Sequence, residues 1–78
     1  MIVEIISPEK TLFSGELKVV QLPGIDGSFE VMDRHAPMIS ILKKGKVKMV
    51  DHKDQATFMD INGGVIEVLE NQVKILAE

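Results

Sequence analysis

Apolar and polar positions alternate along this chain in short runs. Lys46-Val47-Lys48-Met49 sets two apolar side chains on one face and two lysines on the other. Gln72-Val73-Lys74-Ile75 repeats the pattern, Phe29 and Val31 alternate with Ser28, Glu30 and Met32, and Phe58 lies between Thr57 and Met59. A period of two is the mark of a half-buried strand. The pattern predicts strands over roughly 2–7, 11–14, 16–22, 28–32, 38–42, 46–51, 55–61, 65–69 and 72–77. Turn residues separate them: Pro8-Glu9-Lys10, Gly15, Pro23-Gly24-Ile25-Asp26-Gly27, Asp33-Arg34-His35-Ala36-Pro37, Lys43-Lys44-Gly45, Asp51-His52-Lys53-Asp54, Asn62-Gly63-Gly64 and Glu70-Asn71. Such clusters every ~8–12 residues predict a sandwich or barrel of short strands. A helix over 65–77 is excluded, because Val65, Val68, Val73 and Ile75 do not form one stripe of period 3.6. No linker, repeat or low-complexity tract divides the chain.

Several strands carry adjacent apolar residues: Ile5-Ile6, Val19-Val20, Val65-Ile66 and Val68-Leu69, while Met38-Ile39-Ser40-Ile41-Leu42 is apolar on both faces. One member of each pair must point outward in a regular strand. Two explanations stand open: strands that cross between sheets and change face, or an outer surface covered by a partner.

Composition supports the sheet. Val and Ile contribute nine residues each against six Leu and three Ala, and branching at Cβ suits a pleated surface. The 78 residues make one domain with a small core. With no cysteine there are no disulfides, thiolate metal sites or cysteine nucleophile. A net charge of −3 and three aromatic residues, all Phe, disfavour a nucleic-acid surface. The longest apolar runs, Met1-Ile2-Val3 and Ile75-Leu76-Ala77, are far too short to span a bilayer. The opening Met1-Ile2-Val3-Glu4 has no basic region or apolar segment of a secretory signal, so an intracellular domain is expected.

Catalytic chemistry is scarce. His52 falls in a polar turn, and His35 is flanked by Asp33, Arg34 and Pro37, with no second or third ligand at metal spacing. None of Ser7, Ser14, Ser28 and Ser40 lies in a nucleophile elbow. The Gly24–Gly27 segment has no following helix and no Lys-Ser/Thr pair, so it reads as a wide hairpin loop, not a phosphate cradle. Lys43, Lys44, Lys46 and Lys48 read as a solvated edge. Neither a catalytic residue, a cofactor nor a metal is expected.

Six motifs in order, Ser7-Pro8-Glu9-Lys10-Thr11-Leu12-Phe13-Ser14-Gly15, Pro23-Gly24-Ile25-Asp26-Gly27-Ser28-Phe29, His35-Ala36-Pro37-Met38-Ile39, Leu42-Lys43-Lys44-Gly45, Asn62-Gly63-Gly64-Val65-Ile66-Glu67-Val68 and Val73-Lys74-Ile75-Leu76-Ala77, cover nearly the whole chain. Together they resemble the N-terminal β-domain of the epsilon subunit of bacterial and chloroplast-type F-type ATP synthase, the counterpart of the mitochondrial delta subunit. The resemblance implies an all-β, flattened two-sheet β-sandwich of about ten strands. It implies a non-catalytic central-stalk subunit that joins the gamma subunit to the c-ring of the membrane sector and transmits proton-driven rotation. The location implied is the cytoplasmic face of the bacterial inner membrane, as a peripheral part of the complex.

Carried over by motif, Ser7, His35, Met38 and Ser40 resemble the gamma-facing residues, and Asp26, Gly27, Ser28 and Glu30 the contact with the c-ring. Many members carry an acidic residue at the position of Ser28; here the charge would come from Asp26 or Glu30. The helical hairpin that usually follows this domain is expected to be absent after Glu78, and with it self-inhibition and ATP binding. The main alternative is a biotinyl or lipoyl carrier domain, with Lys48-Met49 as a faint attachment motif. Lys48, however, falls within an alternating strand instead of a hairpin tip.

Overall fold

The chain folds into strands and turns only. The computed structural model describes residues 1–78, with β1 (Ile2–Ile6), β2 (Thr11–Glu16), β3 (Val19–Gly24), β4 (Gly27–Met32), β5 (Met38–Val50), β6 (Ala56–Leu69) and β7 (Gln72–Ala77). All are hydrogen-bonded in one sheet of order β2-β1-β7-β6-β5-β3-β4. Neighbours are antiparallel except β1 and β7, which run parallel. The predicted class is all-β, and all-β it is.

The strand count differs from the sequence expectation. The turn signals at Lys43-Lys44-Gly45 and Asn62-Gly63-Gly64 do not reverse the chain, so 38–42 joins 46–51 as β5, and 55–61 joins 65–69 as β6. Nine predicted segments therefore become seven strands. These two strands pair without a slip from Met38–Val68 to Val50–Ala56. Their inward faces nonetheless switch. On β5 Leu42 is buried and then Val47 and Met49; on β6 Ile61 is buried and then Ile66 and Val68. An odd interval between inward residues means that the strand has turned over.

That switch is the corner at which one sheet becomes two layers. The first layer comprises β2, β1, β7, the end of β6 from Gly64 and the start of β5 to Leu42. The second comprises the rest of β6 and β5 with β3 and β4. Seven strands laid flat would span roughly 29 Å at ~4.8 Å per strand with little depth. The Cα trace instead measures 27 × 22 × 21 Å, so the sheet is folded on itself and not markedly flattened. Sixteen buried apolar side chains fill the single core, Val3, Ile5, Val20, Leu22, Val47, Ile66 and Ile75 among them, and no polar residue is buried.

Two local devices make the corner. Along β3 the ladder to β5 slips: Gln21 faces Lys48, but Gly24 faces Leu42, so Leu22 and Pro23 oppose the five residues Lys43–Val47. Pro23, which has no N–H to donate, sits where that pairing lapses. On β6, Gly64 has φ +152°, and a Cβ there would stand 2.2 Å from the Leu76 carbonyl oxygen of β7. Only glycine allows that approach.

The turns are tight. Gly24 pairs with Gly27, leaving two residues at the β3–β4 tip, so the expected wide loop is a two-residue turn. Gly15 lies inside β2 and breaks nothing. Glu70 and Asn71, at φ 51° and 61°, form the two-residue β6–β7 turn between the paired Leu69 and Gln72, with the positive φ of a type I′ hairpin. After β5, the Asp51 carboxylate accepts from the amides of Lys53 and Gln55, both at 2.9 Å.

Candidate docking surface

The outer face of the first layer is built row by row from the strand register. One row reads Ile41–Val65–Leu76–Ile6 across β5, β6, β7 and β1. The next reads Ile39–Glu67–Lys74–Glu4–Ser14. The third reads Leu69–Gln72–Ile2–Glu16. Six of the ten exposed large hydrophobic side chains of the chain are here: Ile2, Ile39, Ile41, Val65, Leu69 and Leu76, with Ile39 reaching 72% exposure. A few scattered apolar residues on a surface require no explanation; six across three adjacent rows of one sheet face, five of them in the two outer rows, mark an interaction site.

The adjacent apolar pairs of the sequence resolve accordingly. In each, one member is buried (Ile5, Val20, Ile66, Val68) and its neighbour faces away from the core. The first explanation left open by the sequence operates, since the strands change face at the corner, and an apolar outer surface of the kind the second requires remains as well. The outer face of the second layer is more polar. It carries Lys48 and Glu30 on either side of Gln21, and the Lys46–Asp60 ion pair at 3.0 Å, beside exposed Phe58 and Met32.

The residues suggested for the gamma contact do not form one patch. Ser7 caps the β1–β2 turn: its Oγ accepts from the amides of Glu9 (3.3 Å) and Lys10 (3.2 Å), beyond the Ile6 row. His35 stands at the other end, its amide donating to Met32 O, next to Arg34, whose amide donates to Asn71 Oδ1 at 2.8 Å. The His35 ring Nδ1 lies 2.7 Å from Ala36 O. Met38 and Ser40 share the inward side of β5 with Leu42 and are half-buried, while Ile39 and Ile41 between them point out. Sequence reasoning named the inward residues and passed over the outward ones, although the doubly apolar run 38–42 carried the signal.

Asp26, Gly27 and Ser28 do come together at the β3–β4 tip, all exposed, with Ser28 Oγ accepting from Gln21 Nε2 at 3.2 Å. Glu30 lies two residues further along β4, opposite Gln21 and on the side of Ser28. Exposed Ile25, unmarked by the sequence reading, completes the tip. Its amide donates to Ile41 O at 3.0 Å, which ties the tip to the edge of the aliphatic face.

The electrostatics are those of a scaffold. The Met1 ammonium donates to Leu17 O at 3.1 Å and pairs with Asp33, and its hydrogen bond holds the Asp33 carboxyl below the usual carboxylate range. Lys18, 2.6 Å from Asp54, does the same to that carboxyl. His52 reaches Glu16 at 3.2 Å. No three His, Asp or Glu side chains converge to hold a metal ion, and no helix is long and apolar enough to cross a membrane. Lys48 lies in mid-strand between Gln21 and Phe58 and is half-buried, which is no place for a swinging arm.

Residues 1–78 match the family described as ATP synthase, Delta/Epsilon chain, beta-sandwich domain. The chain belongs to that family. It is 42% identical over 76 residues to the ATP synthase epsilon chain of Chlorobium limicola and 43% identical over 74 residues to that of Caulobacter vibrioides, covering 96% and 95% of this chain and 85% of each relative. It is 36% identical to the epsilon chain of Alkalilimnicola ehrlichii, of which it spans 54%. Among solved structures, a chain of the Euglena gracilis mitochondrial ATP synthase assembly OSCP/F1/c-ring superposes with a TM-score of 0.93 at 16% identity, over 99% of this chain and 49% of that one. A chain of the Tetrahymena thermophila mitochondrial ATP synthase central stalk and c-ring gives 0.79 at 18% identity, over 97% and 61%. These two likenesses show a shared fold alone; the family membership rests on the family match and the bacterial epsilon chains.

Proposed function

We propose that this delta/epsilon domain is a non-catalytic rotor subunit of the central stalk of a proton-translocating ATP synthase, joining a gamma subunit to the c-ring and coupling rotation to ATP synthesis. The observation that carries the proposal is the outer face of the first layer, with six exposed aliphatic side chains on a domain whose relatives are epsilon chains. A rotor coupling needs a rigid body with permanent contacts, and an all-strand domain with one apolar core meets that need. The gamma subunit docks on this face. Ser7 and His35 lie at its two ends, and Met38 and Ser40 support Ile39 and Ile41 from beneath. The β3–β4 tip, with Asp26, Gly27, Ser28 and Glu30, offers polar and acidic groups to the c-ring. The complex would hold the domain on the cytoplasmic face of the bacterial inner membrane.

Affinity purification from detergent-solubilised membranes of cells expressing the tagged chain tests this. Recovery of gamma and c subunits with the tag is expected. A tagged chain that returns without either, or carrying a covalent biotinyl or lipoyl mass, contradicts it.

A further inference from the structure

The two aliphatic rows of the first-layer face are separated by a charged one. Glu67 lies opposite Lys74, Lys74 opposite Glu4, and Glu4 opposite Ser14. With Glu70 from the β6–β7 turn and Gln72, these side chains line a groove of about 230 Å³ along the charged row, bordered by Leu69 and Ile2 of the third row. The ion pairs of the chain are Met1–Asp33, Lys18–Asp54, Lys46–Asp60 and His52–Glu16, so none closes on Glu4, Glu67, Glu70 or Lys74. Three carboxylates face one ammonium, a local excess of two negative charges.

A partner that covers Ile41, Val65 and Leu76 on one side and Leu69 and Ile2 on the other must also cover what lies between. Carboxylates removed from water without counter-charge are strongly unfavourable, and removing them from a water-filled groove would oppose docking. We infer that the partner presents Lys or Arg side chains flanked by apolar residues, which enter this groove and pair with Glu67, Glu4 and Glu70. Arg suits the place best, since its planar fork can meet a carboxylate with two parallel hydrogen bonds while its stem lies along the aliphatic rows. The inference rests on the proposed docking of gamma to this face and adds what gamma must bring: a basic row in register with an apolar surface. Complementary charge of this kind fixes register and raises the association rate.

The test is binding of purified gamma subunit to this chain by titration calorimetry at about 50 and 500 mM NaCl, which moves the screening length from roughly 14 to 4 Å. Wild-type affinity is expected to fall with salt. The double variant Glu4→Gln/Glu67→Gln is expected to bind about tenfold more weakly at low salt with a flatter salt dependence, and Lys74→Gln to bind at least as well as wild type. These side chains have no ion-pair partner in the fold, so unchanged melting curves are expected. Ile39→Asp separates the two levels of the claim. If it abolishes binding while Glu4→Gln/Glu67→Gln binds like wild type at both salt concentrations, the basic row is refuted and the docking face stands. If Ile39→Asp binds normally, the docking face itself is refuted. Concentration-dependent dimerisation of the chain alone, abolished by Ile39→Asp, would make a second copy the occupant and overturn the inference.

Discussion

Gly64→Ala should unfold the corner on which the two layers depend. The native φ of +152° disfavours any Cβ, a strain of about 1–2 kcal/mol. The added carbon would also sit 2.2 Å from Leu76 O, 3.1 Å from Leu76 C and 3.2 Å from the Ala77 Cα. Ordinary contact needs roughly 1 Å more, and the obstacle is backbone, so β7 must move away from β6. Opening the ladder there loses one or two hydrogen bonds at about 1 kcal/mol each and leaves a buried carbonyl short of a partner at about 1–3 kcal/mol. The expected total is about 3–7 kcal/mol, against about 4–12 kcal/mol of stability for a domain of this size. Thermal unfolding followed by circular dichroism should show a drop of more than about 15 °C. Gly27→Ala is the control, since Gly27 has φ +131° but nothing within 4 Å of an added Cβ. Only the strain applies there, about 1–2 kcal/mol and roughly 5–10 °C. Equal losses in the two variants would refute the clash at the corner.

Neighbouring residues on β5 and β6 should divide sharply in a stability assay. Ile66→Ala, in the core, should cost about 2–5 kcal/mol in urea unfolding, whereas Ile39→Ala, on the outer face, should stay within about 0.5 kcal/mol; similar values would mean the inward and outward faces are misassigned. The folded-state pKa values of Asp33 and Asp54 lie below 3.8, so their contribution is present above the unfolded-state value and is lost as pH falls through the folded ones. Stability should therefore decline below about pH 4, and Asp33→Asn/Asp54→Asn should flatten that decline; an acid limb identical to wild type would exclude these two groups as its source.

The class of fold was legible because period-two alternation survives wherever one face is buried, as at Val47 and Met49 or Val73 and Ile75. The continuity of β5 and β6 was not. Gly45 and Gly63-Gly64 interrupt alternation in the same way whether the chain reverses or a strand merely turns over. Ile61 and Ile66 are five residues apart and both buried in the one strand, so β6 turns over between them, and that twist leaves the same interruption in the pattern as a reversal would. The docking face was half legible. The paired apolar residues announced an outward set, but a pair does not say which member is outside, and within 38–42 nothing local tells that Ile39 and Ile41 point out while Met38 and Ser40 point in. Contacts distant in sequence, such as Arg34 with Asn71 or Met1 with Asp33, left no local trace at all.

The docking face is tested most directly by Ile39→Asp/Ile41→Asp binding to purified gamma subunit, measured beside melting curves. Two carboxylates placed among the aliphatic rows should lower affinity at least about a hundredfold, while the melting temperature stays near that of wild type because both side chains already face solvent. Wild-type affinity in this variant would contradict the assignment of the first-layer face as the stalk contact.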